Sequence, residues 1–347
     1  MRLAPIVWVV SVVVCSLLTH SGWATHAEDL TDLTLDELLD VDVVLVNVLG
    51  GHTHLAGEWM VGHRAVFMTM DGSRAGSSVV EPDEILSDFP VAPTSMTMVM
   101  HMAEVMYAPT DNLTIVAMAP YLRLSMDHLT RSDARFTTES DGVGDTQLGA
   151  LYTVRGHPLT DTHRLVLHAG LSLPLGSTSR RGDTPAGSAQ TLPYPMQVGS
   201  GTFDLSGGPM YLGTTDNWAW GAKALATMRL GQNEAHYALG DEVLLNAWLL
   251  RRLTDWLAPS VGVQVRVWGN IDGANPALSA STAPTADPTR RGGERIDLTL
   301  GWNFYGTGHL LNGCRLEIEA AAPVFQSLDG PQLEVDSRIR VAWQWTF

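Results

Sequence analysis

The chain has 347 residues, with 37 acidic against 21 basic side chains and a formal charge of −16. Such an excess of acid repels phosphate backbones, which excludes nucleic acid as a partner. Mean hydropathy is only +0.05, and after the N-terminus no apolar run approaches the roughly 20 residues that a spanning helix needs, which excludes a helical membrane protein.

In chain order, Met1 to Ala24 reads as a cleaved secretory signal. Arg2 supplies the positive start, Ala4 to Leu18 the apolar run, and Gly22-Trp23-Ala24 the small residues of a cleavage site. The run is too short to anchor the chain. Val12, Val13 and Val14 before Cys15 do not form a lipoprotein box. Cys15 leaves with the signal and Cys314 remains without a disulfide partner, so packing and hydrogen bonds must hold the fold. Export points to the outer membrane of a Gram-negative bacterium. Residues 25–58 form an acidic periplasmic segment, with seven acids between 28 and 42. Leucines at near-helical spacing and the Thr34/Glu37 pair make it a candidate short helix or lumen plug.

From residue 59 to 347 the dominant rhythm is two. Val335, Ile339, Val341, Trp343, Trp345 and Phe347 share one parity, while Asp336, Arg338, Arg340, Gln344 and Thr346 share the other. The same alternation recurs around 145–155, 218–230, 261–270 and 295–305, each time with charged residues in mid-strand on the second face. Strands that long, polar on one face and apolar on the other, fit a wall between lipid and a wet lumen. Strands are expected at 60–70, 96–107, 112–124, 145–155, 163–173, 197–213, 218–230, 242–253, 257–269, 295–305, 313–322 and 335–347. Four short connections share a Thr-Asp core, at 109–112, 159–162, 214–217 and 253–256. Their side chains bond the local backbone in tight turns. Longer segments, including 71–95, 125–143 and 323–334, lie between them. The pattern predicts an all-β transmembrane antiparallel up-and-down barrel of about 12 strands, with short periplasmic turns and long extracellular loops.

Parity also nominates the residues lining the lumen: Arg64, Glu104, Asp145, Arg155, Arg229, Arg266, Arg295, Asp297, Asp336, Arg338 and Arg340. Ten of the 14 methionines fall between residues 60 and 126. Met96, Met98, Met100, Met102 and Met106 share a face with Glu104, and Met60, Met68 and Met70 share one with Arg64. Inward-facing thioethers, with His52 and His54 before the first strand, would suit copper or silver ions. Against this stands the ordinary use of methionine as a flexible apolar filler. No cofactor is otherwise expected.

Four segments carry a family resemblance: Gly142-Val143-Gly144-Asp145, Leu171-Ser172-Leu173-Pro174-Leu175-Gly176, Gly199-Ser200-Gly201-Thr202 and Gly301-Trp302-Asn303. In order and spacing they resemble the outer-membrane transporter family named for the MetA pathway of phenol degradation. The resemblance spans about residues 60–347. It implies an outer-membrane barrel passing small, often hydrophobic, molecules, with no catalytic residues to carry over. The terminal aromatic Phe347 resembles the end signal read by the outer-membrane assembly machinery, so that machinery and outer-membrane lipid are expected partners.

No nucleophile elbow, phosphate loop, H-E-x-x-H or paired-cysteine motif occurs. The leading expectation is therefore a non-enzymatic channel for a small molecule or ion. A metal-handling barrel and a barrel-wall hydrolase are the two rivals.

Overall fold

A computed structural model describes residues 52–157, 160–307 and 312–347. The expected signal and the acidic stretch up to residue 51 lie outside the described residues. Seventeen strands follow in order: β1 Trp59–Gly76, β2 Ser78–Val80, β3 Val91–Thr110, β4 Leu113–Thr130, β5 Arg135–Val143, β6 Thr146–Arg155, β7 His163–Leu173, β8 Arg181–Thr184, β9 Gly187–Thr191, β10 Phe203–Thr214, β11 Trp218–Leu230, β12 Tyr237–Ala238, β13 Glu242–Arg251, β14 Leu257–Trp268, β15 Asp272–Gly273, β16 Gly293–Tyr305 and β17 Cys314–Thr346. Among the described residues one α-helix, α1 (Pro82–Asp88), sits between β2 and β3 and buries Ile85 and Leu86. No helix among the described residues is long and apolar enough to cross a membrane.

The sheet runs β1-β3-β4-β6-β7-β10-β11-β13-β14-β16-β17 and closes by pairing β17 with β1. Every one of these pairings is antiparallel. A closed all-antiparallel barrel needs an even number of walls, and β17 supplies the extra one. Its residues 315–328 pair with β16 and residues 328–346 with β1. The reversal falls at Asp329-Gly330, where Gly330 takes a positive φ of 103°, as a tight hairpin turn requires. Thr346 donates its backbone N–H to Gly313 O at 3.0 Å, tying the two arms together. Trp59 and Phe347 exchange backbone hydrogen bonds of 2.9 Å in both directions, so the last residue seals the seam. The closure removes every edge that lipid could not satisfy.

β5 and β6 share one wall position. β5 pairs with the outer half of β4 and β6 with its inner half. The break falls at Gly144-Asp145.

Side chains sort as the lipid argument demands. Phe67, Leu148, Leu167, Val243, Val263, Leu298, Leu300, Ile318 and Ile339 are exposed on the outside, while inward positions carry the buried polar residues. At the end with the short turns, Trp59 stacks on Tyr107 with ring centroids 4.5 Å apart, and Trp256 lies over Phe304 at 6.4 Å. With Trp218, Trp343 and Trp345 exposed nearby, they form an aromatic girdle at the interface.

Several expected loops turn out to be strand. β1 and β4 run past 71 and 125, β5 occupies 135–143, and β17 continues through 323–334. These stretches rise beyond the apolar belt. Their buried inward positions include polar side chains such as Thr138, Ser140, Gln326 and Gln332, so no hydrophobic alternation marks them as strand.

Candidate functional site

The lumen has two unlike walls. The first is built by β1, β3 and β4. Register places Met60 beside Met106, Arg64 beside Met102, Val66 beside Met100, Met68 beside Met98 and Met70 beside Met96. β4 adds Met126 opposite Met96 and Met118 opposite Glu104. Paired residues of adjacent strands point to the same side. The buried Arg64–Glu104 ion pair, 3.0 Å long, therefore fixes the whole row as inward. The methionines pack in two clusters. Met60 and Met106 join Val116, Leu151, Val166, Met210, Leu212 and Trp248. Met96 and Met126 join Leu192, Met196 and Val198, which belong to the segment between β9 and β10. That extracellular segment is thus folded down onto the methionine row.

The second wall runs over β14, β16 and both arms of β17. Arg295 Nε lies 2.9 Å from Asp297 Oδ1, a charge contact without hydrogen-bond geometry. Arg338 reaches Asp297 at 3.6 Å and donates to Gln264 Oε1 at 2.8 Å. Arg340 reaches Glu319 at 2.8 Å and Glu317 at 3.8 Å, and Arg315 reaches Glu317 at 3.2 Å. Nearer the outer end, Arg266 pairs with Glu242 at 2.7 Å and Arg229 with Asp204. Guanidinium and carboxylate alternate around this wall, so its field is locally cancelled rather than of one sign.

Of the positions nominated by parity, Arg64, Glu104, Arg229, Arg266, Arg295, Asp297, Arg338 and Arg340 stand in these pairs, as do Met96, Met98, Met100, Met102 and Met106 in the methionine row. Two others are exposed away from these pairs, and the third, Asp145, is bound to loop backbone. Arg155 is exposed at the strand end, past a register shift between Thr153 and Arg155. Asp336 is exposed where the β1–β17 register slips between Thr69 and Met70. It accepts a hydrogen bond from Thr69 Oγ1 at 3.3 Å on the outer face. A bulge flips one residue to the other face, which parity alone does not register. Asp145 sits in the wall break, where its carboxylate accepts Gly176 N–H at 2.8 Å and Ser200 N–H at 2.6 Å. Three of the segments that carry the family resemblance meet at this carboxylate. A Cβ on Gly176 would lie 2.6 Å from Gly199 Cα, so only glycines permit the approach.

Parity missed Arg315, Glu317 and Glu319, although Arg-x-Glu-x-Glu interleaved with Leu316 and Ile318 carries the same signal. Residues 52–57, the end of the segment expected as a candidate lumen plug, pack at the periplasmic mouth. His54 N–H donates to the fully buried Thr114 Oγ1 at 3.1 Å, Arg164 donates to Thr53 Oγ1 at 3.2 Å, and Gly57 N–H to Ala108 O at 2.8 Å. Burial, and next the electrostatic influence of His54, Arg315, Arg64 and Arg164, hold the His52 imidazole well below its ordinary range. Among the described residues no group of three or more His, Cys, Asp or Glu side chains is placed to hold a metal ion.

Residues 92–304, more than half of the chain, match the family model described as "Putative MetA-pathway of phenol degradation". The chain belongs to this family. No curated protein sequence matches it significantly. Among solved structures, the COG4313 outer membrane channel from Pseudomonas putida F1 superposes with a TM-score of 0.59 at 15% identity, covering 87% of this chain and 100% of that one. The transport unit of the autotransporter AIDA-I from Escherichia coli gives 0.46 at 10% identity over 89% and 96%. The P. putida toluene transporter TodX gives 0.40 at 11% identity over 84% and 89%.

Proposed function

We propose that this family member is an outer-membrane channel admitting small, uncharged, largely apolar solutes, and that it catalyses no reaction. One observation carries the reading: the lumen sets a thioether and aliphatic row, interrupted by the self-paired Arg64 and Glu104, against a wall whose arginines stand opposite carboxylates. An ion-selective pore holds a ring of one sign. A cancelled wall offers a passing ion little, while an apolar row lowers the cost of removing an apolar solute from water. The outward apolar face and the aromatic girdle put the barrel in a bilayer. A closed β-barrel exported by a signal peptide belongs to the outer membrane.

The test is reconstitution. Liposomes carrying the protein should take up a small neutral aromatic faster than empty liposomes, while planar-bilayer conductance in potassium chloride stays low. Brisk, weakly selective ion current without accelerated aromatic uptake would overturn the reading.

A further inference from the structure

At the periplasmic mouth, the strand that begins the methionine row meets the segment that enters the lumen. His52 Nε2 lies 3.1 Å from Met60 Sδ. The His52 and His54 rings pack edge to face with centroids 4.7 Å apart. His54 Nδ1 faces Glu58 Oε2 at 3.4 Å. Glu58 thus faces one ring nitrogen, and the other, the buried Nε2, has no hydrogen-bond partner. Met106, fully buried, stands beside Met60 in register and in the same packed cluster.

We infer that His52, His54, Met60 and Met106 form a binding site for a soft monovalent cation, Cu(I) or Ag(I). This goes beyond the solute pathway and stands independently of it. Three physical points support it. Nitrogen and sulfur donors about 2.0 and 2.3 Å from a shared ion sit roughly 3.0–3.5 Å apart at ordinary bond angles, which brackets the His52–Met60 separation. A carboxylate on the far nitrogen of a ligating imidazole is the usual device for orienting it, and Glu58 stands there for His54. Imidazole and thioether are neutral donors, and Arg64, Arg164 and Arg315 are all near His52. With Glu58 as the nearby carboxylate and guanidinium groups around it, the site offers less negative charge than a divalent ion needs, whereas a soft monovalent ion gains most from thioether donors. Beyond Glu104 the row resumes at Met102 and continues through Met100 and Met98 with a step of about 6.7 Å, two residues of strand. The site is thus the inner end of a line of soft donors.

The experiment uses the full mature barrel in detergent, in a Cys314→Ser background that removes the competing thiol. Cu(I) is presented from a chromogenic chelator, and retention by the protein is measured by competition. The barrel should retain about one ion. Met60→Leu and His52→Ala should each weaken retention at least about tenfold, whereas Met98→Leu, away from the site, should leave it unchanged. X-ray absorption of the loaded protein should show a mixed nitrogen and sulfur shell, and Zn(II) should bind far more weakly. Each variant is checked for heat-modifiable migration, and Met106→Leu provides a second near-isosteric replacement should His52→Ala not fold. Cu(I) retention equal in Met60→Leu and the parent, equal retention of Zn(II), or no retention at all would overturn the site. None of these readouts depends on solute flux, so a failed channel assay and a failed metal site are separable.

Discussion

Across the lumen, the face of β1, β3 and β4 is filled by flexible thioethers, whereas the face of β14, β16 and β17 is filled by guanidinium and carboxylate groups. Both fill the space between strands, but by different physics. A methionine row is held by non-directional packing, and three rotatable bonds let each side chain fit whatever lies against it. An arginine–carboxylate network is held by geometry, and each charge depends on its neighbour for the solvation it has lost. The charged wall should therefore break when one member is removed and the methionine wall when volume is removed.

The largest expected effect is at Glu317, which serves both Arg315 and Arg340 and is almost fully buried. Glu317→Ala leaves two buried cations with one fewer partner and should cost about 3–5 kcal/mol, the usual range for breaking a buried pair from one side. The measurement is the urea-unfolding midpoint of the barrel in lipid, followed by tryptophan fluorescence. A change under about 1 kcal/mol, the worth of a surface pair, would mean that the charged wall is solvated and the contrast between the walls is false.

Met106 provides the matching test on the other wall. Met106→Ala removes a wholly buried side chain from the cluster with Met60, Met210 and Trp248 and should cost about 2–5 kcal/mol. Met106→Leu keeps the volume and should cost less than about 1.5 kcal/mol. Equal losses for the two variants, read from the same unfolding curves, would show that the thioether is needed for more than volume. Third in size is Asp145. Asp145→Ala removes the acceptor shared by Gly176 and Ser200 and should cost about 1.5–3 kcal/mol. The loss should be local. Hydrogen exchange at the amides of 176 and 200 should accelerate, while amides of β14 and β16 keep their protection.

How far the sequence disclosed these walls depends on what lay outside each strand. Where lipid meets one face and water the other, period-two alternation is enforced. Residues 163–173 and 218–230 are legible there to the residue. Above the belt the same strands lose the signal, as 135–143 and 323–334 show. The methionine row was legible because Met96 to Met106 share parity with Glu104. The contact of His52 with Met60 was not, since the chain from 53 to 58 between His52 and the start of β1 is irregular. The partners of Asp145 were hidden for a related reason. Its parity is right for the lumen, but its role is set by Gly176 and Ser200, 31 and 55 residues away.

The smallest expected effect tests the boundary of the charged wall. Asp336 sits between Arg338 and the outer turn, and strict alternation would add it to the arginine network. The slipped register at Thr69/Met70 instead turns it outward onto the Thr69 hydroxyl. A charge in the network would, on removal, unbalance Arg338 as Glu317 does Arg315. A charge on the outer surface loses only one solvent-exposed hydrogen bond. Asp336→Ala should therefore shift the unfolding midpoint by no more than the equivalent of about 0.5 kcal/mol, with Arg155→Ala as its companion at the opposite rim. A loss of several kcal/mol at Asp336 would place its carboxylate inside the barrel. The bulge would then be absent, and strict parity would govern β17 throughout.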